Sequence, residues 1–393
     1  MNELSLRAGS PTSPFPPASL AAEEILRRLF RGWAYIEARF DVLQPMNEGS
    51  SVDLGQTYNV ADEAGGVLSL RPDFTSLVAR EAATMGQGII RPLRQSYCGT
   101  AFRKPDRAGD RRREIRQSGV ELVGASGPLA DAEIVTLASE GLAALHLKDA
   151  QIHLGHVGFV HALLRSSNLT EEGKTTVCNL LARHDRTALS IELTDQGVSG
   201  KAAAALGAVL DLVGSTAVLD QARCLTRDPG ALRALEQLEE LVDLLSRSEL
   251  PVPVVIDLTE VRDRSYYTGI RFEGFVPASG FPILRGGRYD DLVQQFGKAE
   301  PAVGCAFEID RIAPMVAGSR TADVEMVLLR SPAARWTEVI MQARALRSQG
   351  QRVALDVSSL LPGELDAYRS AYRISHVLEL ESDRELNTEG DRR

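Results

Sequence analysis

The segment from Gln95 to Gly124 contains the side chains best suited to binding a small charged ligand. It begins with a strand-like stretch from Gln95 to Phe102 and ends with another from Arg113 to Val123. A charged loop with a proline, a glycine and several arginines joins them. In the second stretch Gln117, Gly119 and Glu121 share one face, because side chains alternate between the two faces of a strand. The segment is therefore expected to form a hairpin whose second strand presents an amide and a carboxylate together.

Arg103 follows the first strand-like stretch and would lie over the same surface as Gln117 and Glu121. A cation, an amide and a carboxylate together could hold a small zwitterion, because each charged group of the ligand would find a partner. A cross-strand ion pair between Arg103 and Glu121 would explain the same residues without any ligand. Both interpretations stay open at this point.

This segment resembles motif two of the class II aminoacyl-tRNA synthetases, and most specifically that of histidyl-tRNA synthetase. Other stretches resemble further signatures of that family, in its order and at fitting distances: residues 70–75 (LRPDFT), 262–267 (RDRSYY), 286–290 (GGRYD) and 301–311 (PAVGCAFEIDR). The matches extend over well over half of the chain. The resemblance implies an α+β fold in which a synthetase-like antiparallel sheet is flanked by helices.

The resemblance also suggests how the chain is divided into domains. Residues 1–318 would form a synthetase-like domain, interrupted from about 160 to 250 by a helical insertion rich in leucine and alanine. Residues 319–393 alternate strand-like and helix-like stretches and would form a small α/β domain. This domain resembles the start of the anticodon-binding domain of class IIa synthetases but is truncated.

An apolar pattern of helical spacing begins near Ser19, continues to Phe40 and leads into a strand-like stretch that ends at Pro45. A long helix followed by a strand and a proline resembles motif one, the dimer interface of class II synthetases, and therefore implies a homodimer. An amphipathic helix packed against its own core would give the same pattern.

Composition limits the remaining possibilities. The chain has 393 residues, of which 44% are hydrophobic and 25% charged, as in soluble globular proteins. Its formal charge of −9 argues weakly against a main role in binding nucleic acid. The four cysteines have neither metal nor disulfide spacing, and no signal peptide or membrane span is expected, so a cytoplasmic protein is predicted. His153 and His156 lie in a strand-like stretch from Ala150 to Val160 and lack a third ligand at a sensible spacing, so no metal is expected. No other cofactor is expected.

The resemblance implies a pocket for free L-histidine. Asp73 and Thr75 match a glutamate and a threonine that hold the amino group of histidine, although Asp73 could instead cap the helix that follows it. Asp73 and Glu121 would accept hydrogen bonds from the ammonium group and an imidazole N–H. Glutamine and arginine side chains would donate to the carboxylate, and one of two adjacent tyrosines would face the cavity. The implied histidine-binding residues are Asp73, Thr75, Arg103, Gln117, Glu121, Arg262, Tyr266 and Tyr267.

The resemblance to an ATP site is weaker. Pro105 stands where the family has the glutamate that accepts from adenine, and Ile115 stands where it has a stacking aromatic residue. Glu308 replaces a glycine of motif three, which adds bulk and negative charge where phosphates would approach. Three arginines that match phosphate-contacting residues remain, at positions 103, 262 and 311. Adenylation of an amino acid is therefore not expected, and no catalytic residues are assigned.

A histidine pocket, a poor ATP pocket and a short anticodon-like domain together resemble the regulatory subunits of ATP phosphoribosyltransferase. That resemblance implies a non-catalytic chain that pairs with a short catalytic subunit in a hetero-oligomer. It also implies that the chain senses histidine for feedback inhibition of the first step of histidine biosynthesis, without binding tRNA. The alternatives are an active histidyl-tRNA synthetase, and a synthetase-like protein that binds RNA or another amino acid.

Overall fold

The computed structural model describes residues 18–45, 57–63, 65–85, 90–105, 112–261, 267–316, 326–330, 335–357, 360–372 and 374–380. The helices are α1 (Ala18–Gly32), α2 (Thr75–Thr84), α3 (Pro128–Ala144), α4 (Val157–Arg165), α5 (Glu171–Ala182), α6 (Arg186–Asp195), α7 (Gly200–Ala208), α8 (Ala217–Leu225), α9 (Pro229–Ser246), α10 (Asp290–Gln294), α11 (Ile309–Val316), α12 (Trp336–Ser348) and α13 (Pro362–Tyr372). The strands are β1 (Ile36–Glu37), β2 (Leu43–Pro45), β3 (Asn59–Ala61), β4 (Val67–Leu70), β5 (Leu93–Phe102), β6 (Glu114–Val123), β7 (Gln151–His156), β8 (Val213–Gly214), β9 (Val254–Asp257), β10 (Ile270–Phe275), β11 (Leu284–Arg288), β12 (Ala302–Glu308), β13 (Met326–Arg330), β14 (Arg352–Leu355) and β15 (Ile374–Glu379).

The chain forms two compact units, within residues 18–319 and 320–393. The larger unit is built on a nine-stranded sheet in the order β1-β5-β6-β12-β11-β10-β7-β9-β8, and a second sheet has the order β2-β4-β3. The strands from β5 to β7 in this order are antiparallel, whereas β1 pairs with β5 and β7 pairs with β9 in parallel. The expected α+β class is confirmed, with a sheet that is mixed at both ends.

The β5–β6 hairpin pairs along its whole length, from Leu93 opposite Val123 to Phe102 opposite Glu114. Its two faces differ because side chains alternate. The face with Val120 packs into the main hydrophobic core, to which α1 and α3 contribute. The opposite face belongs to a second cluster with α2 and α10, and it carries the candidate site.

Two sequence predictions of element ends were wrong. The predicted helix that begins near Ser19 was extended to Phe40, but α1 ends at Gly32, and Ala34 has a left-handed backbone (φ 61°) that a helix cannot continue through. The strand predicted from Ala150 to Val160 ends at His156. There the His156 side chain accepts a hydrogen bond from the Gly158 amide and so caps α4.

Helices α4 to α9 lie between β7 and β9 in the chain and bury leucine and alanine side chains. In the smaller unit, a parallel sheet in the order β14-β13-β15 packs Val327 and Leu329 against Val339 and Ala343 of α12. The predicted domain boundary at residues 318 and 319 lies outside the described residues, and the extent of the insertion stays a prediction.

Candidate functional site

Glu121 is the centre of the candidate site. It lies on β6 with 1% of its surface exposed. Its carboxylate accepts hydrogen bonds from Thr75 Oγ1 at 2.8 Å, from the Tyr97 hydroxyl at 3.3 Å, and from the Tyr289 hydroxyl. Thr75 begins α2, Tyr97 lies on β5, and Tyr289 directly follows β11. All three are neutral hydroxyls, so they orient the carboxylate without neutralising its charge.

Burial raises the pKa of Glu121 to about 7, although the hydrogen bonds from Tyr289, Thr75 and Tyr97 act in the opposite direction. The negative charge of Asp73 raises the Glu121 pKa further. Near neutral pH this carboxyl group is therefore only partly ionised. A cationic group bound beside it would favour the ionised form.

Glycines make the space that this arrangement needs. Gly304 of β12 pairs with Glu121, and a Cβ atom on it would lie 1.7 Å from Glu121 Oε2. Gly119 pairs with Tyr97, and a Cβ atom there would lie 2.5 Å from the Tyr97 hydroxyl oxygen. A side chain at either position would displace one of the two groups, so both glycines are part of the site.

Asp73 is the second carboxylate of the site. It is buried, and its Oδ1 accepts a hydrogen bond from the Ser76 amide at 2.6 Å, so it caps α2. It also lies close enough to Glu121 to influence the pKa of that residue. Helix capping, one of the two roles considered for Asp73 from the sequence, is therefore present in the structure. The capping bond uses Oδ1.

Arg103 does not pair with Glu121. Its Nε donates to the Pro72 carbonyl at 2.6 Å, which holds its side chain against the residue that precedes Asp73. Since both residues are described and the partners of Glu121 are hydroxyls, the interpretation of these two residues as a cross-strand ion pair is wrong. Arg103 is thus anchored by the main-chain oxygen of the residue that precedes Asp73 in the chain.

Four of the predicted site residues remain, of which the structure describes two. Gln117 is half-buried on the same face of β6, four residues from Glu121, which corresponds to roughly 13 Å along a strand. Tyr267 is half-buried and touches the space left by Gly287, where a Cβ atom would lie 2.7 Å from its ring. Arg262 and Tyr266 lie outside the described residues. The structure thus brings together Asp73, Thr75 and Glu121, and it anchors Arg103 on the carbonyl of Pro72.

A separate buried carboxylate, that of Glu308, lies on the same face of the sheet as Glu121. It is at the end of β12, opposite Gln117. Glu308 Oε2 accepts from Arg112 Nη2 and from Arg311 Nε, each at 2.6 Å. Its Oε1 accepts from Arg285. These four residues are called the Glu308 cluster. Burial acts to raise the pKa of Glu308, but the charge of Arg285 and the hydrogen bond from Arg112 outweigh it and hold the pKa below its usual value.

The Glu308 cluster continues across the sheet as alternating charges. Arg285 also pairs with Glu273. Arg271 pairs with Glu273 at 2.6 Å and with Glu260, so it links these two glutamates. Burial works to lower the pKa of Arg271, but the charges of Glu273 and Glu260 raise it overall. Each arginine in this row therefore already has an intramolecular carboxylate partner.

The two histidines considered as metal ligands have separate partners. His153 Nδ1 lies 3.0 Å from Asp257 Oδ2, and His156 Nε2 lies 3.1 Å from Gln237 Oε1. Within the described part of the chain, no group of three or more histidine, cysteine, aspartate or glutamate side chains is placed to hold a metal ion. Of the helices described, none combines the length and apolarity needed to cross a membrane.

Several side chains of the candidate site are not among the residues that the sequence indicates. Tyr97 lies on β5 directly opposite Gly119, and its position could have been found from the hairpin register. Tyr289 follows β11 and reaches Glu121 because β12 pairs with β6 and β11 pairs with β12, an order that no local pattern indicates. For the same reason, the pairing of Arg112 and Arg285 with Glu308 could not be found from the sequence.

Comparisons with known proteins show which family the chain resembles. The family model described as histidyl-tRNA synthetase matches residues 17–312. The chain is 35% identical over 352 residues to an ATP phosphoribosyltransferase regulatory subunit from Moorella thermoacetica, covering 88% of this chain and 90% of that protein. It is 34% identical over 368 residues to the regulatory subunit from Symbiobacterium thermophilum, covering 90% of each.

Solved structures show the same relationship. A Bacillus halodurans protein described as an ATP phosphoribosyltransferase regulatory subunit/histidyl-tRNA synthetase superposes with a TM-score of 0.78 at 27% identity, covering 92% of this chain and 93% of that one. Histidyl-tRNA synthetase from Nostoc superposes with a TM-score of 0.77 at 18% identity, covering 95% and 90%. The second likeness concerns the fold alone.

Proposed function

Because this chain belongs to the family of ATP phosphoribosyltransferase regulatory subunits, which have the fold of histidyl-tRNA synthetases, we propose that it is a non-catalytic histidine sensor. In this proposal it binds L-histidine at the Glu121 site and pairs with a short catalytic subunit in a cytoplasmic hetero-oligomer. The catalytic subunit requires the pairing for activity, and bound histidine inhibits the complex. The observation that carries the proposal is the contrast between the un-neutralised carboxylate of Glu121 and the neutralised carboxylate of Glu308.

The Glu121 site supports binding of a small cationic group. Two buried carboxylates, Asp73 and Glu121, lie near each other, and the hydrogen bonds found for Glu121 come from neutral hydroxyls. An ammonium group would supply the positive charge that the hydroxyls around Glu121 do not, and an imidazole N–H would add a further donor. Arg103 and Gln117 are proposed to donate to the ligand carboxylate, with Arg262, Tyr266 and Tyr267 completing the pocket. A ligand without these groups would leave buried polar atoms unpaired at about 1–3 kcal/mol each.

The Glu308 cluster supports the absence of adenylation. An enzyme that activates an amino acid with ATP needs positive groups free to bind phosphates. Here Arg311 and Arg285 are paired with a buried carboxylate instead. Adenylation would first require those pairs to break, in a site that still contains the negative charge of Glu308.

Regulation requires a difference in histidine affinity between two states of the complex. A ligand that binds both states equally shifts no equilibrium, so histidine must bind the inhibited state more tightly. Reciprocity then requires that whatever favours the active state weakens histidine binding by the same factor. A homodimer formed through the synthetase-like interface is proposed as the regulatory half of the complex.

The Glu121→Ala variant tests the pocket. We expect its histidine affinity, measured by isothermal titration calorimetry, to fall by about tenfold to a hundredfold, the equivalent of about 1–3 kcal/mol for a lost buried partner. Histidine should inhibit the complex with the catalytic subunit correspondingly less. Glu239→Ala, which removes a surface carboxylate of α9 paired with Arg223, is the matched control and should bind histidine normally. Normal histidine inhibition of the Glu121→Ala complex would refute the pocket.

The rival function is that of an active histidyl-tRNA synthetase, which the match of residues 17–312 to that family model favours. Pyrophosphate exchange that depends on both histidine and ATP discriminates between the two. We expect no exchange above background, and a robust signal would establish the rival function. A synthetase-like binder of RNA or another amino acid is tested by co-purification, since only the proposed function expects a small phosphoribosyltransferase chain to accompany this one.

A further inference from the structure

Arg271 is a buried arginine on β10, and it projects from the face of the sheet that carries Glu121. The strand register places Glu121, Gly304, Gly287 and Arg271 in one row from β6 to β10. Residues directly opposite each other project to the same side of a sheet. At about 4.8 Å per strand, the Cα atom of Arg271 is roughly 14 Å from that of Glu121. The positions between these two side chains are glycines, which leave space above the sheet.

Arg271 has a glycine opposite it on each neighbouring strand, Gly155 on β7 and Gly287 on β11. A Cβ atom on Gly155 would lie 2.3 Å from the last carbonyl oxygen of β9 and 3.3 Å from Glu260 Cβ. A Cβ atom on Gly287 would lie 2.7 Å from the Tyr267 ring. The absence of side chains at these two glycines therefore allows Glu260 to approach Arg271 on one side and Tyr267 on the other.

Arg271 contacts both of these residues. Its Nη1 donates to Glu260, its Nη2 donates to Glu273 at 2.6 Å, and its guanidinium carbon lies 5.8 Å from the centre of the Tyr267 ring. A cation within about 6 Å of a ring centre is attracted to the ring face, and more strongly where water is excluded. Glu260 lies near the beginning and Tyr267 near the end of the connection between β9 and β10. Arg271 thus links both sides of this connection to the sheet.

We propose that Arg271 is a positioning residue of the histidine site, which holds the Tyr267 ring over Gly287 as the wall across from Glu121. Gly287 is two strands from Glu121, roughly 10 Å between Cα atoms. A small zwitterion binds between the carboxylate and the ring. Arg271 lies one strand farther from Glu121 than Gly287 and acts on the ligand only through Tyr267. The inference rests on the proposed function, because it assigns a task at the same site.

An arginine suits this task better than a lysine. Its planar guanidinium group offers several donors in a fixed arrangement, so it can contact two carboxylates and a ring at once, whereas a lysine offers one compact ammonium group. Both glutamates that Arg271 contacts are buried, and the Glu273 side chain is also paired with Arg285. The guanidinium group is therefore held in a fixed orientation before any ligand binds.

Calorimetric titration of L-histidine tests this role. We expect Arg271→Met to weaken histidine binding by about tenfold, because the ring loses a cation contact that is shielded from water. Tyr267→Leu should weaken binding at least as much. The double variant should bind no more weakly than Tyr267→Leu alone, because Arg271 acts through that ring. The matched control is Arg91→Met, which removes another arginine paired with a buried glutamate, Glu300, and it should bind histidine normally.

Hydrogen exchange, measured without histidine, tests the same role independently of the ligand. The Val261 and Thr268 amides each donate to a main-chain carbonyl at 2.8 Å, one near each side of the connection between β9 and β10. Peptides that contain these amides should exchange about tenfold faster in Arg271→Met, because local opening no longer has to break the contacts of Arg271. In Arg91→Met the same peptides should exchange at the rate of the natural chain.

Three results would overturn the inference: normal histidine affinity in a folded Arg271→Met protein, a double variant that binds more weakly than Tyr267→Leu, or unchanged exchange of the two peptides. If the natural chain binds no histidine while Arg271→Met still speeds the exchange, only the proposed function is overturned. If Arg271→Met does not fold, Arg271→Met combined with Glu260→Gln supplies the same test. In that variant both partners of the buried pair are removed together, and Glu273 keeps Arg285.

Discussion

Glu121 and Glu308 are two buried glutamates on one face of one sheet, yet their surroundings have opposite effects. Neutral hydroxyls surround Glu121, and burial raises its pKa to about 7. Guanidinium groups surround Glu308, and their charge holds its pKa below the usual value despite burial. The first carboxylate can still gain from a cationic ligand, whereas the second is already satisfied. Residue type and burial alone therefore do not indicate a binding site; the charge of the neighbours does.

The largest expected effect is the loss of stability in Glu308→Ala. Removing this carboxylate leaves three arginines without a shared partner, and breaking a buried ion pair costs about 3–5 kcal/mol. Because Arg112 and Arg285 keep part of their surface in water, we expect a loss near the lower end, about 3 kcal/mol. Urea denaturation measures it. Glu338→Ala, which breaks an exposed pair with Arg335, should leave the midpoint unchanged; an equal loss there would contradict the account of the cluster.

The hairpin and its polar face could be predicted from the sequence. Local alternation placed Gln117, Gly119 and Glu121 on one face, and the strands end within two residues of the predicted bounds. The α+β class followed from the resemblance to class II synthetases. Thr75 was also predicted from this resemblance, because it belongs to the short motif of residues 70–75. Local order along the chain was sufficient for these features.

The hydrogen-bond partners of the Glu121 and Glu308 carboxylates could not be predicted in the same way. Tyr289 and Glu121 are separated by 168 residues, and Arg112 and Glu308 by 196. Such contacts depend on the strand order β6-β12-β11, which is set by tertiary packing rather than by local pattern. The sequence therefore indicated that Glu308 was out of place in an ATP site, but it could not indicate which arginines would neutralise it.

The second prediction concerns pH. The pKa of Glu121 is about 7 in the folded chain, against 4.5 as its ordinary value. Between these values the folded chain keeps a proton that the unfolded chain has lost, so stability falls as pH rises. The resulting cost is on the order of 3 kcal/mol above pH 7. Glu121→Gln removes it, so we expect the variant to gain that amount relative to the natural chain between pH 5 and pH 8.

Glu308→Gln is the counterpart with the opposite sign. Because the folded-state pKa of Glu308 is lowered, its ionised form stabilises the fold above the ordinary pKa of 4.5, and this stabilisation is lost as pH falls through the lowered value. The difference between Glu308→Gln and the natural chain should therefore be constant from pH 5 to pH 8 and shrink only at lower pH. Thermal unfolding at a series of pH values measures both variants. If the stability of the two variants depended on pH in the same way, the difference between the Glu121 and Glu308 sites would be contradicted.

The smallest expected effect on stability separates the two roles of Asp73. Its Oδ1 caps α2 through the Ser76 amide, and loss of such a cap costs about 1 kcal/mol. We expect Asp73→Ala to lose this amount, whereas Asp73→Asn should keep most of it, because asparagine is an equally good cap. Histidine affinity should instead fall in both variants, by about tenfold or more, since a charged partner of the ammonium group is lost in each.

Asp228→Ala supplies the matched control. Asp228 caps α9 by accepting from the Gly230 and Ala231 amides, and it belongs to the helical segment between β7 and β9. Its substitution should cost the same stability as Asp73→Ala while histidine affinity stays unchanged. If Asp73→Asn binds histidine normally, Asp73 is a helix cap alone, and Glu121 would be the carboxylate that holds the ammonium group. The comparison with the Glu308 cluster would then concern only two carboxylates on this face of the sheet, those of Glu121 and Glu308.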